Sequence, residues 1–200
     1  MKTPIIIFKG SFNPVHKNHI YIAELVEKIY GVKPIMMISA NVYQKGWINS
    51  DKLLLRVEML NDLGYSVLVN KDGYFNNNTA YIRQKFNRPI IYVVGSDTFN
   101  RILNSTYKIL NNVSNTIRSI EINKFKADFE NVFFVVVNRP NNKLEKDVKY
   151  VKDYYTVFAE HPDFYDISST KIREMRVDGN YDGIRNMIPT KIYNKYINHI

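Results

Sequence analysis

A doubly wound α/β fold, with a mostly parallel sheet and helices on both faces, is predicted by three features of this 200-residue sequence. Short apolar runs rich in β-branched residues recur along it. Most of them lack polar alternation, as strands buried on both faces of a parallel sheet do. Segments with helical spacing fill the gaps, so strand and helix alternate.

The elements follow in order. "PIIIF" (4–8) reads as the first strand, and "HIYIAELVEKIYG" as a helix with Gly31 as its C-cap. "PIMMIS" (34–39) is the second strand. "SDKLLLRVEMLNDLG" is a helix opening on the Ser50–Asp51 pair and ending at Gly64. "YSVLV" (65–69), "PIIYVVG" (89–95), "VFFVVV" (132–137) and "YTVFA" (155–159) supply further strands. "NNTAYIRQKF" and "DTFNRILNSTYKILNNV" are the helices of the next two gaps. The polar stretch 113–131 reads as a helix or an insertion. The part from 168 to 200 reads as helices broken by "DGN" and "IP". No repeat and no domain boundary is visible, so residues 1–200 are expected to form one domain.

Composition narrows the function classes. Hydrophobic residues make up 45% of the chain, which excludes a disordered class. No apolar run nears the ~20 residues that span a bilayer. The short apolar run behind Met1 is too brief for a secretory leader. An intracellular, cytoplasmic protein without a membrane role is expected, with a nuclear placement left open. The chain has no cysteine, so disulfides and thiolate metal sites are absent. Its net charge of +9 suits a polyanionic partner, or only a solvated basic surface. The basic residues are scattered, which argues against nucleic acid.

Chemistry concentrates at two places. "KGSFNPVHKNH" (9–19) follows the first strand and precedes the first helix. Ligands of open α/β sheets bind at such turns. Gly10 permits a tight turn and close backbone approach. The helix start beyond it presents free N–H groups to an anion. His16 and His19, three apart, share a face and can hydrogen-bond phosphate oxygens. Two surface histidines beside a turn are the plainer reading of each alone. The turn is neither a three-glycine dinucleotide fingerprint nor a Walker A loop. "DISSTKIREM" (166–175) supplies a second anion cradle. Ser168 and Ser169 stand at its helix start, and Lys171 and Arg173 add charge. Two such helix starts suggest a polyphosphate held between them.

These stretches resemble a known family. "GSFNPVHKNH" is similar to the G-x-F-[DN]-P-x-H-x-x-H signature of the nucleotidylyltransferase superfamily. "ISSTKIR" is similar to the second signature of the nicotinamide/nicotinate mononucleotide adenylyltransferases. "ISANVYQKGWI", "LLLRVEML", "YVVGSDTF", "FFVVVNRP" and "GIRNMIPTKIYNKYI" resemble further segments of that family, in the same order. The resemblance runs from about residue 5 to 198, with 113–131 unmatched. Departures are Lys9 before the glycine, Ser96 for an alanine, Tyr107 where tryptophan is usual, and Asn76 in the approximate place of another aromatic.

The resemblance implies a Rossmann-like fold and a nucleotidyltransferase of NAD biosynthesis. The mononucleotide's 5′-phosphate would attack the α-phosphorus of ATP, releasing pyrophosphate. It implies His16, His19 and Arg173 as catalytic residues. It implies ATP contacts from Gly10, Ser11, Phe12, His19, Gly95, Asp97, Ser168, Ser169, Thr170, Lys171, Ile172 and Arg173. It places the mononucleotide against Tyr43, Lys45, Thr79 and Tyr107. Mg²⁺ would ride on the phosphates, with no protein metal site. Taken alone, Asp97 also reads as a helix N-cap and Lys45 as a solvated surface lysine. A pantetheine-phosphate adenylyltransferase, a cytidylyltransferase and a non-catalytic basic nucleic-acid-binding protein are the alternatives. A homo-oligomer is compatible with the sequence.

Overall fold

The computed structural model describes residues 2–42, 46–71, 73–107, 115–138, 144, 151–159 and 162–200. Six strands form one sheet: β1 (Ile5–Lys9), β2 (Ile35–Ser39), β5 (Val67–Asn70), β6 (Ile90–Gly95), β7 (Val132–Asn138) and β8 (Tyr155–Ala159). Their order is β5-β2-β1-β6-β7-β8, and every pairing described in it is parallel. Counting only these strands along the chain, that is 3-2-1-4-5-6, the order of a Rossmann-like fold. All six expected strands are present. A short hairpin, β3 (Asn41–Val42) with β4 (Gly46–Trp47), lies apart from the sheet.

The chain divides into two compact units, interleaved in sequence. The terminal unit comprises Ile7–Gly73 and His161–Ile200. In it β1 pairs with β2 and β2 with β5. Its helices are α1 (Lys17–Tyr30), α2 (Ser50–Asp62), α6 (Ser169–Val177), α7 (Tyr181–Met187) and α8 (Thr190–Tyr196). α1 ends as its sequence predicts. Gly31 adopts the left-handed conformation at φ 66°, and its N–H returns to the Glu27 carbonyl. α2 corrects the sequence reading by one residue. Its N-cap is Asn49, whose side chain accepts from the N–H groups of Asp51 and Lys52, and Ser50 is already helical. Ile7, Phe8, Met36, Met37 and Ile38 of the strands are buried with Ile22, Val26, Met59, Leu60, Ile172 and Ile192 of the helices.

One polar cluster ties α2 to α8 within this unit. The Asp62 carboxylate accepts from Lys195 Nζ and from the Tyr196 hydroxyl, each at 2.7 Å. Lys191 Nζ donates to the Asp62 carbonyl. The Lys195 and Tyr196 hydrogen bonds hold the Asp62 carboxyl below its usual range. Its folded value is depressed, so its contribution to stability is present above the unfolded value and is lost as pH falls through the folded one. Melting temperature measured across the acid range, below about pH 4, is therefore expected to fall more steeply for the wild type than for Asp62→Asn. Parallel acid limbs would show that the cluster contributes nothing.

The central unit comprises Met1–Ile6 and Tyr74–Glu160. It holds β6, β7 and β8 with the helices α3 (Phe75–Phe86), α4 (Ser96–Tyr107) and α5 (Asn115–Asp128). The stretch 113–131, read as a helix or an insertion, thus contains a helix. Phe134 of β7 is fully buried among Tyr92, Phe99, Phe125 and Phe129, with ring centroids 5.1 to 6.4 Å away. Arg88 clamps the amino end of β1 by donating to the carbonyls of Thr3 and Pro4.

Candidate active site

The turn behind β1 is built around an aromatic ring folded back under its own backbone. The Gly10 N–H donates to the Met37 carbonyl at 3.1 Å, extending the β1–β2 ladder by one residue. Phe12 then takes a left-handed conformation at φ 44°, costly for a side chain with a Cβ. Its ring is completely buried, edge-on to Phe8 at 5.6 Å and to His19 at 4.9 Å. A Cβ on residue 10 would stand 2.8 Å from the tip of that ring. Glycine is therefore needed here for close approach. The Asn13–Pro14 peptide bond is cis.

Three side chains from distant segments hold the carbonyls of this turn. Arg56 Nη1, from α2, donates to the Ser11 carbonyl at 3.2 Å. Arg173 Nη1, from α6, donates to the Asn13 carbonyl at 2.6 Å. Ser169 Oγ donates to the Pro14 carbonyl at 2.9 Å. The two signature stretches, about as far apart in the chain as it allows, are thus hydrogen-bonded to one another inside the terminal unit.

His16 and His19 sit at the start of α1. His16 is the N-cap residue, in extended conformation, and its N–H donates to His19 Nδ1 at 3.3 Å. Their rings stack with centroids 3.6 Å apart. Only 2% of His16 and 9% of His19 is exposed, so neither is the ordinary surface histidine that each resembles alone. An Nδ1 that accepts a hydrogen bond leaves the proton of a neutral imidazole on Nε2. His19 is thereby set up as a hydrogen-bond donor through Nε2. The N–H groups of the first helical turn have no partner within the helix, and the dipole there favours an anion.

α6 repeats this design. Ser168 is its N-cap, with Oγ accepting from the Lys171 N–H at 3.2 Å. Ser169 is helical rather than a second cap, and its hydroxyl holds the turn instead. Thr170 is exposed, and its Oγ1 accepts from Arg173 Nη2 at 3.1 Å. The Ile172 side chain is fully buried and its N–H bonds back to the Ser168 carbonyl, so Ile172 anchors the helix in the core.

The remaining expected residues lie in the central unit or outside the described residues. Gly95 ends β6 and α4 starts at once with the buried Ser96. Asp97 is the second residue of that helix, not its cap, and its carboxylate pairs with Arg101 at 3.2 Å. Thr79 is buried in α3. Its hydroxyl donates to the Phe75 carbonyl and lies 3.2 Å from the Tyr92 hydroxyl. Tyr107 closes α4. Tyr43 and Lys45 lie outside the described residues.

Residues 7–175 match the Cytidylyltransferase-like family. The chain belongs to that family. The resemblance read from the two signatures is borne out. Among curated relatives of this cytidylyltransferase-like chain are probable nicotinate-nucleotide adenylyltransferases from three bacteria. The Endomicrobium trichonymphae protein is 27% identical, over 96% of this chain and 95% of its own length. The Clostridium perfringens protein is 28% identical, over 84% and 83%. The Staphylococcus epidermidis protein is 25% identical, over 97% and 94%. Among solved structures, a Plasmodium falciparum nicotinic acid mononucleotide adenylyltransferase complexed with NaAD shares the fold. Its TM-score is 0.63 at 13% identity, covering 100% of this chain and 99% of that one.

Arg56 is the site residue that sequence reasoning did not single out. The segment carrying it, "LLLRVEML", resembles one of the family's segments, but an arginine inside it also reads as an ordinary helix residue. The available signal was its place on a mostly apolar stretch, where a charge is expensive. The Lys9 departure also has a local reason, since Lys9 Nζ donates to the Gly73 carbonyl at 2.7 Å.

Proposed function

We propose that this cytidylyltransferase-like protein is a nicotinate-nucleotide adenylyltransferase. It joins ATP and nicotinate mononucleotide to give the dinucleotide and pyrophosphate. The observation that carries this reading is the clamp between the two signature turns, which brings two anion-binding helix starts and two guanidinium groups to one loop. The acid form of the mononucleotide is favoured by the names of the relatives.

The nucleophile is a phosphate oxygen, already an anion, so catalysis needs positioning and charge stabilisation rather than an activated side chain. The mononucleotide's phosphate oxygen forms a bond to the α-phosphorus of ATP. The bond from that phosphorus to the pyrophosphate breaks, and its electron pair leaves with the pyrophosphate. His19 donates through Nε2 to the phosphates, with His16 stacked behind it. Ser168, Ser169, Thr170 and Lys171 at the start of α6, with Arg173, hold the β- and γ-phosphates through N–H groups and charge. Gly10, Ser11 and Phe12 line the nucleotide by their backbone. Gly95 and Asp97 serve the ATP ribose. Tyr43, Lys45, Tyr107 and the segment carrying Thr79 serve the mononucleotide. Among the described residues no cluster of three acidic or imidazole groups offers a metal site. Mg²⁺ enters as part of the substrate MgATP, on phosphate oxygens and water. No helix among the described residues is long and apolar enough to cross a membrane.

Pyrophosphate release tests the reading. It is measured with ATP and Mg²⁺ and one acceptor at a time: nicotinate mononucleotide, nicotinamide mononucleotide or phosphopantetheine. Release is expected with the nicotinate form, weaker with the amide and absent with phosphopantetheine. Release with phosphopantetheine alone would move the chain to another activity of its family.

A further inference from the structure

The Arg56 guanidinium is a buried cation that meets a carbonyl and, among the described residues, no carboxylate. Only 7% of the residue is exposed. Nη1 is spent on the Ser11 carbonyl, while Nε is buried and has no hydrogen-bond partner among the described residues. Burial lowers its affinity for the proton, and a second cation, Arg173, acts in the same direction. That arginine holds the Asn13 carbonyl two residues along the same loop. Such a group is expensive, and an apolar side chain of similar length would pack at lower cost. Both guanidinium groups grip one loop that joins a strand to a helix N-terminus. An anion resting on that loop would offset both charges at once.

We propose that Arg56 is a positioning residue for the triphosphate: from α2 it fixes the loop through the Ser11 carbonyl and supplies charge from beneath that a bound polyphosphate balances. The proposal rests on the adenylyltransferase reading. It differs in kind from the role of Arg173, which is exposed and can touch phosphate directly.

The test uses inorganic tripolyphosphate as the probe. Its affinity is measured by calorimetry for the wild type, Arg56→Met and Arg56→Lys, beside thermal melts without any anion. Arg56→Met is expected to bind at least about tenfold more weakly, yet to melt without anion no lower than the wild type. Arg56→Lys keeps the charge but loses the fork and is expected to fall between the two. An Arg56→Met that melts lower but binds tripolyphosphate like the wild type overturns the proposal, because the arginine is then structural. Should Arg56→Met fail to fold, Arg56→Lys decides, and wild-type affinity in it overturns the proposal. Dinucleotide formation by the wild type runs in parallel. Product formation with equal affinities sinks only the Arg56 assignment. No product, with no binding of tripolyphosphate by the wild type, sinks the reading beneath it as well.

Discussion

His19→Ala is expected to lower kcat by about 10²–10³, the usual cost of removing one hydrogen-bond donor aimed at developing charge. The structure gives two reasons for so large an effect. His19 Nδ1 is occupied by the His16 N–H, so the neutral ring carries its proton on Nε2. The ring is also braced on three sides, by Phe8, Phe12 and the stacked His16. Its donor is therefore held in place before substrate arrives. Alanine removes the brace along with the donor, so the rate loss needs a control. In His19→Asn the amide oxygen takes the place of Nδ1 and keeps the His16 N–H satisfied. That variant is expected to melt near the wild type and still lose most of the rate. A wild-type kcat in His19→Asn would assign the histidine to structure alone.

Gly10→Ala is the second large effect, and it acts on stability first. The added methyl would meet the Phe12 ring at 2.8 to 3.1 Å. The ring has no room to retreat, being fully buried between Phe8 and His19. Overpacking of this kind costs about 1–3 kcal/mol, several degrees of melting temperature for a chain of this size. Any shift of Phe12 also displaces His19, so kcat is expected to fall with it. Phe12→Leu shortens the obstructing side chain. Thermal melts of the two single variants and the double variant should therefore be non-additive, the double variant losing less than the sum. Strict additivity would show that residue 10 and Phe12 do not meet.

Much of this was legible beforehand because the relevant signals are local. All six apolar runs became sheet strands, β1, β2, β6 and β7 largely buried and the edge strands β5 and β8 only partly so. Gly31 at the end of α1 fell where a left-handed residue was needed. The two signature stretches could be read as helix starts because cap residues, glycine and histidine occur together there. What could not be read depends on contacts between distant segments. The sequence offers no sign that Ser169 Oγ would turn to the Pro14 carbonyl rather than to its own helix. Nor does it reveal that Asn49, one residue before the expected pair, caps α2. Side-chain amides and hydroxyls compete for the same N–H groups, and tertiary packing decides between them. The inward-facing hydroxyl of Thr79 and the burial of Ile172 are of the same kind, since both residue types also sit comfortably at a surface. Arg56 stayed hidden because a sequence shows charge without showing depth.

The claim at the centre is that the mononucleotide's phosphate oxygen attacks the α-phosphorus of ATP on the paired turns. Nicotinate mononucleotide with ¹⁸O in its non-bridging phosphate oxygens tests it most directly. After turnover with unlabelled ATP and Mg²⁺, mass spectrometry should find all of the label in the dinucleotide and none in the pyrophosphate. Label in the released phosphates, or turnover of ATP without any dinucleotide, would contradict it.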